Sequence, residues 1–450
     1  MPNSWLSVVP AAPRWVSSEE TASVTPGELG ETLRTAARAD QHVRLVGAGH
    51  SFSPLVESDD VILSLDQLQG IVEVDVPSRV ARIRAGTRLA ALGDALAAHG
   101  LAMENLGDIN VQSVAGATST GTHGTGIAFG NISTQISALK LLTSDGEEVC
   151  ASPEENPALF AGGRVGLGSL GVLTEISLQL VPSFRLKLDR AKMDLDECLD
   201  RTDELVTGNR NFEFYWLPHT DKVLTKAWNL TDEPVTDASA SRYLTETLLE
   251  NAAFGALCAT GKAMPSLCPA LSQLCSRFIS SSTQVDESHS MLATVRKVRF
   301  NEMEWAVPAA EGAGVLREIR SFVATRDFPL MFPLEYRWVK GDDIWLSPNF
   351  GRDSVHISCH QYRGMPFARY FDGIQAICLN HGGRPHWGKA HTLRASQLAG
   401  IYPHWDDFLA LREKMDPSGR FLSPYMRRLF GLESRRQVRR AVSSVLVDAR

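Results

Sequence analysis

The sequence contains no long, uninterrupted apolar run. Its most apolar internal segment, residues 252–275, is interrupted by Lys262, Pro265 and Pro269, whereas a helix that crosses a bilayer needs about 20 mostly apolar residues. We therefore predict no membrane span. Residues 1–15 mix proline, serine and arginine and do not place an apolar run after a basic stretch. We expect no secretory signal peptide and a cytoplasmic location.

Cysteine is scarce and follows no pairing pattern. The seven cysteines include no Cys-x-x-Cys pair, and an odd number suits a disulfide framework poorly. Cys258, Cys268 and Cys275 lie close together in the sequence, but no histidine stands among them at the spacing of a zinc site. We expect free, buried thiols and no bound metal.

The chain also has no excess of positive charge. The chain has 45 basic and 52 acidic residues and a formal net charge of −7. Nucleic-acid binding requires concentrated lysine and arginine, so we expect no nucleic-acid partner. The tail at residues 433–450 does cluster arginines, but valines alternate with them. We interpret this tail as a docking or fraying helix and not as a site for a polyanion.

Glycine, by contrast, is concentrated in two loops, at residues 46–51 and 115–126. A residue without a Cβ atom adopts positive φ and lets successive backbone N–H groups converge on an anion. The loops therefore predict a site for a cofactor diphosphate, with the imidazole of His50 beside it. The first loop lacks the third glycine of a Rossmann fingerprint, and neither loop contains the Gly-Lys-Ser/Thr of a Walker P-loop.

The secondary-structure signals predict an α+β protein, and a length of 450 residues favours two domains. The run Thr25-Pro26-Gly27-Glu28 is typical of a helix N-terminus. Short β-type runs and a hairpin signal at Asp145-Gly146 follow, so we interpret residues 12–182 as one domain built around the glycine loops. Later strands alternate with helices at 315–325 and 367–380, a pattern typical of an antiparallel sheet with helices on one face.

Polar side chains are grouped on two strands and one loop of the second half. The two-residue period of a strand places alternate side chains on the same face, where they need partners or a cavity. A solvent-exposed ion pair remains an alternative interpretation of the first strand. The grouped residues are Glu335 and Arg337 on the first strand, His356, Ser358 and His360 on the next, and His386, Lys389 and His391 in the loop.

Together these motifs resemble the vanillyl-alcohol-oxidase class of flavoproteins, and within it the sugar-1,4-lactone and alditol oxidases. The matching segments are residues 43–52, 113–126 and 168–174, Glu335-x-Arg337, the His360 strand, and residues 384–389 and 416–421. The resemblance implies an FAD-binding domain of the two-part PCMH type and a substrate (cap) domain. The implied limits are 12–182 for the FAD-binding domain, 183–405 for the cap domain, 406–432 for a C-terminal segment that returns to the FAD domain, and 433–450 for the basic tail.

The resemblance also implies how FAD is held. His50 matches the histidine that is joined covalently to the flavin, and a tethered flavin generally has a raised potential. No cysteine occurs between Gly107 and Gly126, so the second, cysteinyl link of some relatives is not expected. The implied FAD-binding residues are Val46, Gly47, Ala48, Gly49, His50, Ser51, Gly107, Asp108, Ser113, Gly116, Thr120, Gly121, Thr122, His123 and Ile176.

The implied reaction is oxidation of an alcohol of a sugar-1,4-lactone or polyol by hydride transfer to the flavin. Arg337 and Lys389 would stabilise the developing negative charge. Glu335 would orient Arg337 or bind a substrate hydroxyl, and His360 would accept the hydroxyl proton. His386 is a weaker candidate.

The electron acceptor is less certain from the sequence than the cofactor. Gly107 matches a family position where a small residue is associated with oxygen access, which favours an oxidase that forms H₂O₂ from O₂. Asp108 departs from the serine of alditol oxidases. A dehydrogenase with another acceptor, and a flavin- or nucleotide-binding module without turnover, remain as alternatives.

Overall fold

The structure is a computed structural model that describes residues 21–23, 25–58, 60–236, 250–294 and 298–432. The sequence also predicts a helix that carries Leu244, Leu248, Ala252 and Leu257. Leu244 and Leu248, like the basic tail at 433–450, lie outside these residues. In the part that is described, no helix combines the length and the apolar character needed to cross a bilayer.

The elements alternate between short strands and short helices along the chain. The strands are β1 Thr21–Ser23, β2 Val43–Val46, β3 Val61–Ser64, β4 Ile71–Asp75, β5 Val80–Arg84, β6 Leu101–Ala102, β7 Ile136–Leu142, β8 Glu148–Ala151, β9 Val172–Gln179, β10 Val181–Pro182, β11 Arg185–Asp194, β12 Asn211–Trp216, β13 Lys222–Thr231, β14 Ser282–Glu287, β15 Phe300–Pro308, β16 Leu334–Val339, β17 Ser354–Tyr362 and β18 Arg384–Pro385. The helices are α1 Pro26–Arg38, α2 Leu89–Ala97, α3 Val114–Ser119, α4 Pro157–Gly163, α5 Leu195–Asp200, α6 Thr202–Thr207, α7 Glu250–Ala263, α8 Cys268–Arg277, α9 Ser288–Met291, α10 Gly312–Arg326, α11 Ala368–Asn380, α12 Ala395–Ala399, α13 Trp405–Met415 and α14 Pro424–Phe430.

The described first half contains two larger sheets beside the two-stranded pair of β6 and β10. One is parallel with the strand order β1-β3-β2, and the other is antiparallel with the order β4-β5-β9-β7-β8. Helix α1 begins at the predicted capping box of Thr25 and Glu28 and buries Leu29 and Leu33 in a small core that includes Val43. The antiparallel sheet belongs to a separate, larger core. The first glycine loop lies between β2 and β3, and the second includes most of α3 and lies between β6 and β7.

The second half is organised by one antiparallel sheet with the order β14-β11-β13-β12-β16-β17-β15-β18. Its two faces differ because the central strands alternate apolar and polar residues. Tyr336 and Ile357 lie on the apolar face, which α10 and α11 cover with side chains such as Leu316 and Phe371. A Cβ atom on Gly312 of α10 would lie 2.2 Å from the Tyr336 hydroxyl, so the helix approaches the sheet closely at this point.

The polar face of this sheet packs against the first half of the chain. The backbone N–H of Gly126 donates to Trp338 O at 2.8 Å. The hydroxyl of Thr125 donates to Phe212 O at 2.5 Å and accepts from the N–H of Trp338. The glycine-rich second loop is thus tied directly to β12 and β16, and the polar residues of the sheet face the predicted cofactor loops.

The last described segment returns to the first sheet. The N–H of Val43 in β2 donates to Arg420 O at 2.9 Å, and the buried guanidinium of Arg44 donates to Phe421 O and to Gly168 O. Phe421 is fully buried in the same core as Val43. One buried arginine therefore connects three distant parts of the chain.

The predicted α+β class and the antiparallel sheet with helices on one face are confirmed. The hairpin at Asp145-Gly146 is also confirmed, since β7 and β8 pair around it. The sequence also predicts a strand over residues 330–339, and in the structure this strand begins at Leu334, directly after Pro333. Strands β11 and β14 were missed, since charged residues fill most outward positions of β11 and β14 is a short polar edge strand.

Candidate functional site

The two glycine loops pack directly on each other. A Cβ atom on Gly47 would lie 2.6 Å from the hydroxyl oxygen of Ser113. That hydroxyl is already engaged, since it accepts from the N–H of Gly116 at 3.2 Å. Gly121 adopts a φ of 73°, which disfavours a side chain. The backbone of both loops is therefore brought together, as the sequence predicted.

The first loop also contacts the segment that carries Lys389. The N–H of Phe52 donates to Gly388 O at 2.7 Å, and the hydroxyl of Ser53 donates to Trp387 O at 2.7 Å. The ammonium of Lys389 lies 5.1 Å from the centre of the Phe52 ring. Two residues predicted from different halves of the sequence, His50 and Lys389, are thus neighbours in the fold.

His50 is held in its neutral form. Partial burial lowers the pKa of its imidazole, and the positive charges of Lys389 and Arg88 lower it further. A neutral imidazole has a nitrogen lone pair that can form a covalent bond, which the charged form lacks.

A buried carboxylate, Glu304 of β15, lies at the centre of the polar face. Its Oε1 atom is 2.7 Å from Nη2 of Arg337, 2.9 Å from Nε2 of His123 and 3.4 Å from Nδ1 of His356. Burial raises the pKa of Glu304, but the charge of Arg337 and the contact with His123 outweigh burial and hold it well below its usual value. Glu304 is therefore the counter-charge that keeps Arg337 in place.

Three imidazoles lie close together beside this carboxylate, with their rings tilted against each other. The ring centroid of His123 is 3.8 Å from that of His356 and 5.7 Å from that of His386. Burial lowers the pKa of His356 to about 3 and that of His386 to about 4. His386 is structural in this arrangement, because its Nδ1 accepts from the N–H of Gly388 and shapes the loop before Lys389.

Glu335 belongs to a second carboxylate group. It accepts from the hydroxyl of Tyr215 at 2.7 Å and lies 3.6 Å from Nε of Arg337. Carboxylate oxygens of Asp108, Glu213 and Glu335 lie within 4.8 Å of one another. The alternative of a solvent-exposed ion pair is wrong, because Glu335 is 2% and Arg337 is 6% exposed.

Two cations, Lys226 and Arg337, lie beside these three carboxylates, and burial raises the pKa of Glu213. Lys226 lies 2.9 Å from Glu213 and 3.3 Å from the Tyr215 hydroxyl. Burial lowers the pKa of Arg337, but Glu335 and Glu304 outweigh burial and raise it. Since Arg337 stays charged, it supplies a positive charge to both carboxylate groups.

His360 and Lys389 are joined through Glu302 of β15. Oε2 of Glu302 is 2.5 Å from the Lys389 ammonium, and Oε1 is 3.3 Å from Nε2 of His360. The other ring nitrogen of His360, Nδ1, lies 2.9 Å from Pro333 O. A carbonyl oxygen only accepts, so Nδ1 carries a proton and Nε2 of the neutral ring has a lone pair.

Two more of the predicted cofactor residues, Gly107 and Thr120, lie at the second loop, whereas Ile176 does not. A Cβ atom on Gly107 would lie 2.8 Å from Cγ2 of Thr122, and the hydroxyl of Thr120 donates to Gly116 O. Ile176 is fully buried in the middle of β9, where its side chain belongs to the apolar core.

Sequence reasoning missed Glu302 and Glu304, although the signal was present. In β15 the two glutamates alternate with Met303 and Trp305, which is the same two-residue pattern that revealed Glu335 and Arg337. Glu213, Tyr215 and Lys226 were also missed. Their strands were predicted, but the pairing of β12 with β16, which places Tyr215 opposite Glu335, joins segments 120 residues apart.

The residues present fit a bound FAD. Four buried polar side-chain atoms around the loops have no hydrogen-bond partner in the described part of the chain. Such atoms are rare in folded proteins, and they point to an absent ligand or water. The atoms are Nη1 of Arg88, Oε1 of Gln112, Oε2 of Glu304 and Nε of Arg337.

Two sequence families match the chain. The FAD binding domain family matches residues 23–152, and the family described as D-arabinono-1,4-lactone oxidase matches residues 176–429. The first match contains both glycine loops, and the second contains all four predicted catalytic residues.

Individual proteins are similar over nearly the whole chain. L-gulono-1,4-lactone dehydrogenase of Mycobacterium tuberculosis is 40% identical over 404 residues, which cover 90% of this chain and 94% of the relative. Alditol oxidase of a Streptomyces species is 29% identical, with 90% and 94% covered. The crystal structure of cholesterol oxidase from B. sterolicum has a TM-score of 0.77 at 18% identity, with 91% of this chain and 94% of that chain covered, and shows the fold alone.

Proposed function

The chain belongs to the D-arabinono-1,4-lactone oxidase family of FAD-dependent oxidoreductases, and on this basis we propose that it oxidises a primary or secondary alcohol of a sugar-1,4-lactone or polyol. The observation that carries the proposal is the convergence of Arg337, Lys389 and His360 on the glycine loops. Each cation has its own buried carboxylate, Glu304 for Arg337 and Glu302 for Lys389. A site with fixed charges of both signs is suited to a reaction in which charge moves.

We further propose that FAD is attached covalently through His50 and lies on the two glycine loops. The bound flavin supplies a hydride acceptor. The lowered pKa of His50 favours the neutral imidazole needed for attachment. Ser113 and Gly116 shape the neighbouring loop, and the uncompensated Nη1 of Arg88 offers a donor to an anionic part of the cofactor.

His360 accepts the hydroxyl proton in this mechanism. Its Nε2 has a lone pair because Nδ1 donates to Pro333 O. When Nε2 takes up the proton, the ring becomes positive, and Glu302 at 3.3 Å stabilises that charge. General bases of this kind contribute about 100- to 10,000-fold to a rate.

Arg337 and Lys389 provide positive charge near the reacting groups, while Glu335 binds a substrate hydroxyl. Tyr215 already donates to one oxygen of Glu335 and fixes its orientation. Carboxylates suit polyols because each oxygen accepts from a hydroxyl. The cluster of Asp108, Glu213 and Glu335 extends this acceptor surface.

We propose O₂ as the acceptor, with H₂O₂ as product, because Gly107 leaves no side chain beside Thr122 and His123. The second candidate is the same oxidation by a dehydrogenase with a different acceptor. The name of the M. tuberculosis relative, which is 40% identical, favours it.

The domain limits stay as proposed from the sequence, with FAD binding at 12–182, the cap at 183–405 and a returning segment at 406–432. The hydrogen bond from Val43 to Arg420 supports the assignment of the returning segment.

A panel of sugar-1,4-lactones and alditols, mixed anaerobically with the purified protein, tests the proposal. Bleaching of the flavin absorbance by a lactone or alditol is the expected result. Oxygen uptake with and without an artificial acceptor then separates oxidase from dehydrogenase. A protein that contains flavin but is bleached by no compound of either class would instead be a binding module without turnover.

A further inference from the structure

Helix α8 buries small side chains and exposes Leu274, while Leu271 is half-buried against the core around Met331. Cys268, Ser272 and Ser276 are 0%, 1% and 8% exposed, whereas Leu274 is 39% and Phe278, directly after the helix, is 75% exposed. A surface helix normally turns its apolar stripe toward the core. The exposed apolar side chains of this helix are therefore suited to contact a binding partner.

The exposed stripe continues through the turn before α8. Met264 is 49% and Leu267 is 38% exposed. Leu267, Leu271 and Leu274 follow one another at steps of four and three residues, which places them on one helical face. We call the exposed side chains of α7, this turn and α8 the hairpin surface.

The α7 side of the hairpin surface also lacks the charged residues usual on an exposed helix. Its outward positions include Ala252, Ala256, Ala259 and Ala263. Among the exposed positions that the structure describes on α7, the single charged residue is Lys262. The hairpin surface is therefore apolar along both helices.

Among the described side chains of the hairpin surface, the charged ones are Lys262 and Arg277. The sequence contains no aspartate or glutamate from residue 251 to residue 285, although the chain has 52 acidic residues. Lys262 and Arg277 are exposed. Lys262 lies 3.5 Å from Arg363 O, and Arg363 is bonded through its backbone to the exposed Arg299. An apolar surface bordered by cations matches an anionic partner.

We propose that the hairpin surface docks on an anionic lipid bilayer, with Leu274 and Phe278 inserted at the headgroup boundary and Lys262 and Arg277 against the lipid phosphates. An interfacial helix requires this combination of apolar stripe and basic flank. A second copy of the chain is a poorer occupant. In a two-fold symmetric contact, Lys262 and Arg277 of one copy would face the same cations of the other copy. The segment from residue 251 to residue 285 has no carboxylate to offset their repulsion. The inference is independent of the proposed catalytic function.

Vesicle flotation with the full-length, flavin-loaded protein tests this proposal. We expect the protein to float with vesicles of phosphatidylcholine plus phosphatidylglycerol, and to remain behind with phosphatidylcholine alone. High salt should release it, because screening weakens attraction to a charged surface. Equal binding to both kinds of vesicle, or binding to neither, would overturn the proposal.

Three surface variants identify the residues responsible. The double variant Leu274→Glu/Phe278→Glu should weaken partition at least about tenfold, and Lys262→Ala and Arg277→Ala about fivefold each. Val76→Glu is the matched control, because Val76 is 47% exposed in the turn after β4 and should leave partition unchanged. Circular dichroism and the flavin spectrum verify that each variant is folded.

Sedimentation without lipid excludes the other occupant. We expect the wild type to show no self-association that depends on the hairpin surface. Self-association that is abolished by Leu274→Glu/Phe278→Glu but not by Val76→Glu would make a second copy the occupant and contradict the bilayer. Loss of vesicle binding in Val76→Glu to the same extent as in the double variant would also contradict it.

Discussion

Glu304 and His123 are joined across the two halves of the molecule, with Oε1 and Nε2 separated by 2.9 Å. The other nitrogen of His123, Nδ1, lies 2.8 Å from Gly124 O. A carbonyl oxygen only accepts, so Nδ1 carries a proton. Burial lowers the pKa of His123, and Glu304 opposes this effect.

We predict that Glu304→Gln lowers stability strongly. The substitution preserves size but deprives the buried Arg337 of the nearer of its two carboxylate partners, and removal of one partner from a buried pair costs up to about 3–5 kcal/mol. Denaturant unfolding measures the loss. Glu233→Gln, which breaks an exposed pair with Lys187, is the control and should leave stability unchanged. Equal stability of Glu304→Gln and wild type would show that Glu304 is not the required counter-charge.

Arg337→Ala and Lys389→Ala should each slow reduction of the flavin at least about 100-fold, since one fixed charge at a site of developing charge has an effect of this size. Anaerobic stopped-flow absorbance measures the rate directly. Arg82→Ala is a suitable comparison because it removes an arginine that pairs with Glu73 and Glu175 at the surface. Reduction by Arg337→Ala near the wild-type rate would remove Arg337 from the mechanism.

Glu302 should make the free energy of unfolding depend on pH. Burial raises the pKa of Glu302, but the charge of Lys389 and the contact with His360 outweigh burial and lower it from 4.5 to about 2. A lowered carboxyl pKa stabilises the folded state above pH 4.5, and this contribution disappears as the pH falls toward 2. The full contribution is about 3 kcal/mol. The side chain of Lys389 is 20% exposed, and solvent weakens its attraction to Glu302. The measured contribution should therefore not exceed the full contribution given above.

Unfolding of wild type and Glu302→Gln at several pH values tests this dependence. The variant should be less stable at pH 7, and the difference should shrink between pH 4.5 and pH 2. A difference that stays constant over this range would mean that the charge of Glu302 does not contribute.

The sequence was sufficient for the features that depend on local pattern. The helix at Thr25, the hairpin at Asp145-Gly146 and the shared face of Glu335 and Arg337 each follow from a few adjacent residues. The same rule applied to β15 would also have found Glu304. These predictions succeeded because backbone geometry alone fixes which side chains share a face.

Contacts between distant segments could not be predicted in the same way. Strand β12 pairs with β16 because of the strand order of the whole sheet. No local sequence pattern encodes that order. Helix α8 shows the limit most clearly. The spacing of Leu267, Leu271 and Leu274 predicts a buried stripe, yet Leu267 and Leu274 are exposed because the opposite side of the helix packs against Met331 and its neighbours.

His50 provides the most direct test of the cofactor assignment. If the flavin is bonded to its imidazole, acid precipitation of the wild type should leave a yellow pellet, and His50→Ala should leave a colourless one. His99→Ala, which removes an exposed histidine after α2, should remain yellow. A colourless wild-type pellet from a yellow solution would mean that FAD is bound without a covalent bond, and a yellow His50→Ala pellet would place the bond on another residue. In the first case the loops around Gly47 and Ser113 would still account for binding, because their close approach depends on the absence of a Cβ atom at Gly47 and not on the imidazole.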